Sequence, residues 1–226
     1  TFILLFVLFI TLPLDNGLIV YVLEFKDISS VIVLNQGALF FTIFFIYLFY
    51  NSLNFSDGLN GISLTLCLYF IVIIVLANGE LNIFFNAIII GILIILIPNL
   101  FSKIFIGNSG ISFLACIFFL LFIDAYNKNL ILFDEIILIV FLPTVDAGRV
   151  TMERIINGKS PFESGKNHFH HLLTKYFNKN YVFLPYLCFA LLPYLVTKVN
   201  IKSYVSLLFF STLYFLILFF LRRKNV

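Results

Sequence analysis

The stretch NIFFNAIIIGILIILIP, residues 82–98, contains no charged side chain, and two asparagines are its only polar side chains. A helix that crosses the hydrocarbon core of a bilayer needs about 20 predominantly apolar residues, with a range of roughly 17–25. Residues 82–98 meet this requirement, so they predict a transmembrane helix and a membrane fold.

Similar apolar stretches recur along the chain. We predict eight spans, at residues 1–14, 31–50, 62–77, 82–98, 111–124, 130–148, 182–197 and 203–221. Residues 15–30 hold a β-branched run between turn residues, which indicates a short hairpin. We therefore expect an all-α, polytopic transmembrane helical bundle that forms a single membrane domain over residues 1–226.

The chain starts at Thr1, inside an apolar run without a basic n-region or a small-residue cleavage site. Because such a run is not typical of a signal peptide, we interpret residues 1–14 as a shortened span. We expect the chain to be the N-terminally truncated, C-terminal portion of a larger membrane protein.

The composition agrees with a membrane location. Hydrophobic residues make up 62% of the chain and charged residues 11%, and the mean hydropathy is +1.11. Soluble domains are closer to half apolar and a quarter charged, so we expect the lipid bilayer to be a partner. The formal charge of +3 is too small and too scattered to indicate nucleic acid.

The three cysteines lie in apolar runs without CxxC spacing, which favours inert buried thiols over a disulfide framework or a zinc site.

Charge separates the polar connections into two groups. One side of the predicted bundle collects 51–61, 99–110, 149–181 and the C-terminal tail. This side has ten of the 14 basic residues and, with Asp146 at the adjoining end of span 130–148, four of the 11 acids. Loops rich in Lys and Arg are typically cytoplasmic. We therefore predict that these three loops are cytoplasmic.

Two of these loops are rich in Asn and Gly. NSLNFSDGLNGIS, residues 51–63, has glycines that permit close ligand approach and Asp57 at a membrane boundary, where charge is costly. KIFIGNSGIS, residues 103–112, could begin a helix whose backbone N–H groups bind an anion. An ordinary Asn/Gly turn is the alternative in both cases.

The third loop contains most of the ionisable groups. Asp146, Arg149 and Glu153 lie at helical spacings of three and four, and Arg154 follows Glu153 directly, so these charges can pair. A solvated amphipathic helix is the alternative. PFESGKNHFHHLL, residues 161–173, then holds all three histidines of the chain, and its alternative is an interfacial surface loop. Imidazole and ammonium groups neutralise phosphate, and carboxylates and carboxamides bind Mg²⁺. The three loops together predict a cytoplasmic site where a phosphorylated soluble substrate meets a lipid.

Three motifs resemble those of the polyprenyl-phosphate N-acetylhexosamine-1-phosphate transferases. NSLNFSDGLNG is similar to the family's N-A-x-N-x-x-D-G-x-D-G, KIFIGNSG to K-x-F-x-G-D-x-G, and SPFESGKNHFHHLL to S-P-F-x-x-D-R-x-H-x-H-H-x-L. Their order and spacing match over essentially the whole chain. The H-x-H-H loop resembles the branch that initiates O-antigen, enterobacterial common antigen or teichoic-acid linkage synthesis more than the muramoyl-pentapeptide transferase.

The resemblance implies a multi-pass enzyme of the bacterial inner membrane. It would transfer N-acetylhexosamine-1-phosphate from a UDP-sugar such as UDP-GlcNAc to polyprenyl (undecaprenyl) phosphate, with Mg²⁺ as cofactor and release of UMP, and a homo-oligomer is compatible with it. It implies the following roles: catalysis for Asp57 and Asp146, metal binding for Asn54 and Asn108, and substrate binding for Asn51, Asn60, Lys166, His168, His170 and His171.

The chain departs from the family at several positions. Asn60 and Asn108 stand where the family has Asp, Gly165 and Lys166 stand where it has Asp-Arg, and the family's D-D-x-x-D segment would precede Thr1. Asn supplies no charge to Mg²⁺. An inactive relative with a structural or assembly role is therefore the first alternative. A transporter or channel is the second alternative. It predicts polar residues inside the spans, near the midplane of the membrane, whereas these spans consist almost entirely of Phe, Ile and Leu.

Overall fold

The computed structural model describes residues 16–161 and 165–223, so the predicted span 1–14 lies outside the described residues. The described part is mostly helical, with one small sheet. Its helices are α1 (Ala38–Ser56), α2 (Ile62–Asn78), α3 (Ile83–Leu100), α4 (Gly107–Asn127), α5 (Phe133–Ile139), α6 (Phe141–Ile156), α7 (Phe169–Leu173), α8 (Phe183–Val196) and α9 (Ser203–Arg223). The strands are β1 (Val22–Phe25) and β2 (Ile28–Val33).

Five helical segments of the described chain are long and apolar enough to cross a membrane. They are Asn35–Ser56, Ile83–Leu100, Gly107–Asn127, Lys179–Val199 and Ser203–Arg223. Helix α2 is apolar but shorter, and the segment predicted as span 130–148 is divided between α5 and α6 at Val140. The helical membrane architecture is thus confirmed, whereas a count of eight spans is not.

A β-hairpin precedes the first described span, as the sequence predicts for this region. Its strands are antiparallel and pair Val22 with Val33 and Phe25 with Ile28. The hairpin begins and ends later than the predicted 15–30, and it takes residues 31–33 from the predicted span 31–50. Residues 31–33 join the strand because Val31, Ile32 and Val33 are β-branched and favour strand conformation.

The helices alternate in direction between two ends of the bundle. At the hairpin end, the Tyr126 hydroxyl of α4 donates to Val22 O at 2.6 Å, and Asp134 of α5 accepts from Lys26 N at 3.1 Å. At the other end, which we call the loop end, α1, α3, α6 and α9 finish. Helix α1 packs against α4 and α6, and α2 packs against α3, α4 and α8. Aromatic contacts fill the centre, including Phe70 with Phe49 at 5.8 Å and with Phe122 at 5.6 Å between ring centroids.

The loops at the loop end are shorter than predicted. Helix α1 continues to Ser56, α4 begins at Gly107 and α6 continues to Ile156, so parts of the predicted loops 51–61, 99–110 and 149–181 are helical. Asn51 and Asn54 therefore lie on a helix. The boundaries were wrong because polar residues mark where a helix leaves the apolar region of a bundle, and a helix can continue beyond that point with its backbone hydrogen bonds intact.

Candidate functional site at the loop end

Asp146 is a buried side chain at the loop end with several hydrogen bonds. It is 3% exposed. Its Oδ1 accepts from Arg149 Nη2 at 2.6 Å, from the Tyr214 hydroxyl at 2.7 Å and from Phe169 N at 3.0 Å. Its Oδ2 lies 3.0 Å from His168 Nδ1. A buried carboxylate needs such partners, and these four hold the start of α7 against α6. The predicted pairing is confirmed for Asp146, Arg149 and Glu153, with Arg149 Nη1 donating to Glu153 at 2.9 Å. Arg154 instead donates to the carbonyl oxygen of Pro161 at 2.8 Å.

The three histidines form a continuous stack. The rings of His168 and His170 are parallel, with an interplanar angle of 6° and centroids 5.5 Å apart. The His171 ring is tilted by 48° to that of His170, with centroids 4.3 Å apart, and the Phe55 ring of α1 lies 5.3 Å from that of His168. The sequence placed these imidazoles in one loop, and the structure brings their rings into contact.

His170 is buried without a hydrogen-bond partner. It is 1% exposed, and neither ring nitrogen has a partner within the described part of the chain. Burial, with a contribution from His171, lowers the pKa of His170 to about 3. Burial also lowers the pKa of His171, with contributions from His168 and Lys166. Both rings are therefore neutral at pH 7. A buried, unpaired polar group costs about 1–3 kcal/mol, so this ring calls for a functional explanation.

Gly58 brings the first motif into contact with this stack. A Cβ built on Gly58 would lie 2.5 Å from His170 Nε2 and 3.0 Å from His171 Nε2. Only a glycine therefore allows the 57–61 loop to approach the two rings this closely. The neighbouring Asp57 accepts from the Ser63 hydroxyl at 2.5 Å, and burial raises its pKa although this hydrogen bond lowers it. The predicted Asp57 thus lies beside the histidine cluster.

The second motif is joined to the same loop. Asn99 is buried, and its Oδ1 accepts from Gly61 N at 2.7 Å while its Nδ2 donates to Ile104 O at 3.0 Å. Asn60 Nδ2 donates to Ser102 Oγ at 2.6 Å. Gly61 has φ +85°, a conformation that glycine adopts without strain. These contacts fix the turn between α1 and α2 against the turn between α3 and α4.

The predicted metal ligands lie on two neighbouring helices. The hydroxyl of Ser112 on α4 lies 3.4 Å from that of Tyr50 on α1, and α1 and α4 run in opposite directions. Asn54 follows Tyr50 by one turn, and Asn108 precedes Ser112 by one turn, so both lie one turn closer to the loop end. Asn108 is exposed and Asn54 is half-buried.

These residues can supply a limited set of oxygens to Mg²⁺. The described residues contain no group of three or more His, Cys, Asp or Glu side chains that could hold a metal. Asn54 and Asn108 offer carbonyl oxygens, Asp57 offers one negative charge, and Asp146 already has four partners. Mg²⁺ is commonly bound by one or two carboxylates together with substrate phosphates, so a Mg²⁺ ion here would need phosphate oxygens from a substrate.

Two grooves open beside the cluster. The first, which we call the membrane groove, has a volume of about 330 Å³ and lies between α1 and α6, with a mostly apolar lining that includes Tyr47, Leu48, Phe55, Met152 and the predicted Asn51. The second, the polar groove, has a volume of about 400 Å³ and includes Glu153, Arg154, Lys159 and Asn167. Lys166 is exposed near its rim, next to Asn167. The site therefore has an apolar side and a polar side.

Sequence reasoning missed several residues of this site. Tyr214 lies in the middle of an apolar span, and no sequence motif around it marks it as a site residue. Arg222 pairs with Glu153 at 2.6 Å. The two residues are 69 positions apart in sequence, so helical periodicity could not predict their contact. Asn99 alone had a signal, since it is the polar residue after Pro98 at the end of a predicted span.

No protein-family model matches this chain, and a comparison with curated proteins gives no significant match.

Proposed function

We propose that this chain carries the phosphotransfer site of a membrane enzyme that moves N-acetylhexosamine-1-phosphate from a UDP-sugar to polyprenyl phosphate. The observation that carries the proposal is His170, a buried neutral imidazole without a partner that lies against Gly58, next to Asp57 and in contact with two further histidines. Such a cluster suits an anion that arrives with the substrate, because phosphate oxygens would accept from the N–H of the neutral ring, and from both ring nitrogens once the ring is protonated.

In the proposed reaction, an oxygen of the polyprenyl phosphate attacks the β-phosphorus of the UDP-sugar. The bond from that phosphorus to the bridging oxygen breaks, and UMP leaves with the electron pair. Phosphoryl transfer of this kind is catalysed mainly by positioning and charge neutralisation. His170, His171 and Lys166 would hold the diphosphate, and an arriving anion favours the protonated imidazoles.

Asp57 would face the attacking phosphate beside Gly58. Burial raises the pKa of Asp57, which makes it a stronger base for a proton of that group. Asn54 and Asn108 would supply carbonyl oxygens to Mg²⁺, which would neutralise charge on the transferred phosphoryl group. The membrane groove would take the first isoprene units of the lipid, and the polar groove beside the histidines would admit the soluble substrate.

The proposal includes a location. The substrates' chemistry places the loop end at the cytoplasmic surface of a bacterial inner membrane, in agreement with the basic residues of the loops. The product would initiate a cell-surface polysaccharide, such as the O-antigen of lipopolysaccharide or a cell-wall polymer.

The test is UMP release by the full-length protein in nanodiscs that contain undecaprenyl phosphate, with UDP-GlcNAc and other UDP-N-acetylhexosamines as donors. We expect release that requires both Mg²⁺ and the lipid phosphate. Absence of release with every donor would favour the second candidate, an inactive relative with an assembly role. That candidate is motivated by the uncharged Asn108 and by Asn60, whose side chain is bonded to Ser102.

A further inference from the structure

The last span, α9, reaches into the site through Tyr214. This residue is fully buried, and its hydroxyl lies between a carboxylate and a guanidinium. It donates to Asp146 Oδ1 and accepts from Arg149 Nε, in both cases at 2.7 Å. A hydroxyl suits this place because it donates and accepts at once. A phenylalanine would fill nearly the same space and leave Arg149 Nε without this acceptor.

Arg149 extends this contact to the histidine loop. Its Nη2 donates to Asp146 Oδ1 at 2.6 Å and to the carbonyl oxygen of Asn167 at 2.7 Å. Asn167 immediately precedes His168. One guanidinium therefore holds both the carboxylate and the backbone next to the first histidine, and its orientation depends on the Tyr214 hydroxyl.

The arrangement determines what His168 can do. Three donors occupy Asp146 Oδ1, which leaves Oδ2 facing His168 Nδ1 at 3.0 Å. A carboxylate at Nδ1 favours the tautomer that is protonated there and leaves Nε2 as the acceptor. Because the His168 ring is parallel to that of His170, a rotation of the carboxylate would be passed on to the whole stack.

The geometry assigns Tyr214 as a positioning residue that fixes the tautomer of His168 through Asp146 and so makes α9 part of the transfer machinery. This assignment rests on the proposed function for its effect on the reaction. Its effect on His168 is independent of that function. The outer end of α9 supports the same arrangement, since Arg222 contacts both oxygens of Glu153 at 2.6 and 2.7 Å, and Glu153 also pairs with Arg149.

The kinetic test compares Tyr214→Phe with Tyr204→Phe, a control on the same helix whose side chain is 52% exposed. Loss of a residue that orients a ligand-holding group commonly costs 10- to 100-fold. We expect kcat for UMP release to fall about tenfold or more in Tyr214→Phe, with the KM for polyprenyl phosphate changed less than twofold, and both to stay unchanged in Tyr204→Phe. An equal kcat in Tyr214→Phe and wild type would overturn the role.

The spectroscopic test uses the fact that the chain has three histidines, all in this loop. In protein labelled with ¹⁵N-histidine, the ring nitrogen resonances report the tautomer of each ring. We expect wild-type His168 to be protonated at Nδ1, and Tyr214→Phe to give a mixture of tautomers. An unchanged His168 signal would overturn the assignment, even if kcat fell.

The two readouts separate the two proposals. If wild type releases no UMP but the His168 signal changes in Tyr214→Phe, the proposed function fails and the positioning of His168 stands. If Tyr214→Phe does not fold, the wild-type spectrum decides. The contact of Asp146 Oδ2 with His168 Nδ1 at 3.0 Å predicts a His168 ring protonated at Nδ1, and a wild-type ring protonated only at Nε2 would overturn the assignment.

Discussion

At the scale of single residues, the site depends on an imidazole that the fold buries without satisfying it. His170 contributes to a stack of three rings, and its nitrogens have no partner among the described residues. A protein that only needed a packed loop would gain stability from an apolar side chain here. The cost is explained if the ring nitrogens are kept for a phosphate.

Replacement of Gly58 by alanine tests the contact between the first motif and this stack. The new Cβ would lie 2.5 Å from His170 Nε2 and 3.0 Å from His171 Nε2, so both rings must move. Displacement of reacting groups by about 1 Å can lower a rate by roughly 100-fold. We expect UMP release to fall roughly 10- to 100-fold in Gly58→Ala. The matched control is Gly91→Ala in α3, where nothing lies within 4 Å of the added carbon; equal activity in the two variants would contradict the site.

Replacement of His170 by leucine tests the burial of the neutral ring. The pKa of His170 is about 3 in the folded protein and about 6.5 in the unfolded chain, so the unfolded state takes up the proton first as the pH falls. The stability that depends on the neutral ring is complete above pH 6.5 and is lost as the pH falls toward 3, by about 2 kcal/mol at pH 5. We expect His170→Leu to have a higher melting temperature in detergent at pH 7.5, a smaller decrease on transfer to pH 5, and no transferase activity. If the melting temperatures of wild type and His170→Leu fell equally between pH 7.5 and pH 5, the His170 ring would be solvated in the folded protein.

At the scale of elements, the turns at the loop end behave as one unit because Asn99 joins them. Its side chain accepts from Gly61 N and donates to Ile104 O, so it satisfies one group on each side. Helix α3 thereby fixes the position of the loop that contains Gly58.

Asn99→Leu should release this connection. It leaves the buried Gly61 N unpaired, at about 1–3 kcal/mol, whereas Ile104 is exposed, so water can satisfy its carbonyl. We expect a lower melting temperature and lower transferase activity, whereas Asn99→Asp, which keeps the acceptor for Gly61 N, should be affected less. Thermal unfolding of the three proteins in the same detergent measures this, and equal melting temperatures for wild type and Asn99→Leu would contradict the connection.

The elements also show how far the sequence predicts the fold and the site. Apolar runs placed α2, α3, α8 and α9 to within two residues at each end, because burial in a bilayer or a core requires such runs. The spacing of Asp146, Arg149 and Glu153 predicted their pairing, because residues three and four apart share a helix face. The approach of Gly58 to His170 and the contact of Tyr214 with Asp146 could not be predicted, since they depend on how distant helices pack. The ends of α1 and α6 were missed because polarity alone does not end a helix.

At the scale of the whole molecule, the described helices give the bundle two chemically different ends. The hairpin end contains strands and surface ion pairs such as Lys128 with Asp124. The loop end contains the histidines and the two grooves. This asymmetry is what a membrane enzyme needs if it takes one substrate from water on one side only.

Thiol labelling tests the orientation of the two ends. In a background with Cys67, Cys116 and Cys188 replaced by alanine, Lys159→Cys reports the loop end and Lys128→Cys the hairpin end. We expect a membrane-impermeant maleimide to label Lys128→Cys in intact cells from which any outer membrane has been removed, and Lys159→Cys only after the inner membrane is opened. The reverse pattern would place the histidines on the wrong side for a nucleotide-sugar.

The most direct measurement follows the phosphorus atom. The full-length protein is incubated with undecaprenyl phosphate, Mg²⁺ and UDP-GlcNAc, or the donor preferred in the UMP assay, labelled with ³²P at the β-phosphate, and the lipid is then extracted into an organic solvent. Transfer of the sugar-1-phosphate predicts that the label enters the organic phase with unlabelled UMP left in water, and that His170→Leu abolishes this. Label that stays in the aqueous phase as UDP while the sugar enters the lipid, or label that enters the lipid equally with His170→Leu, would contradict the account.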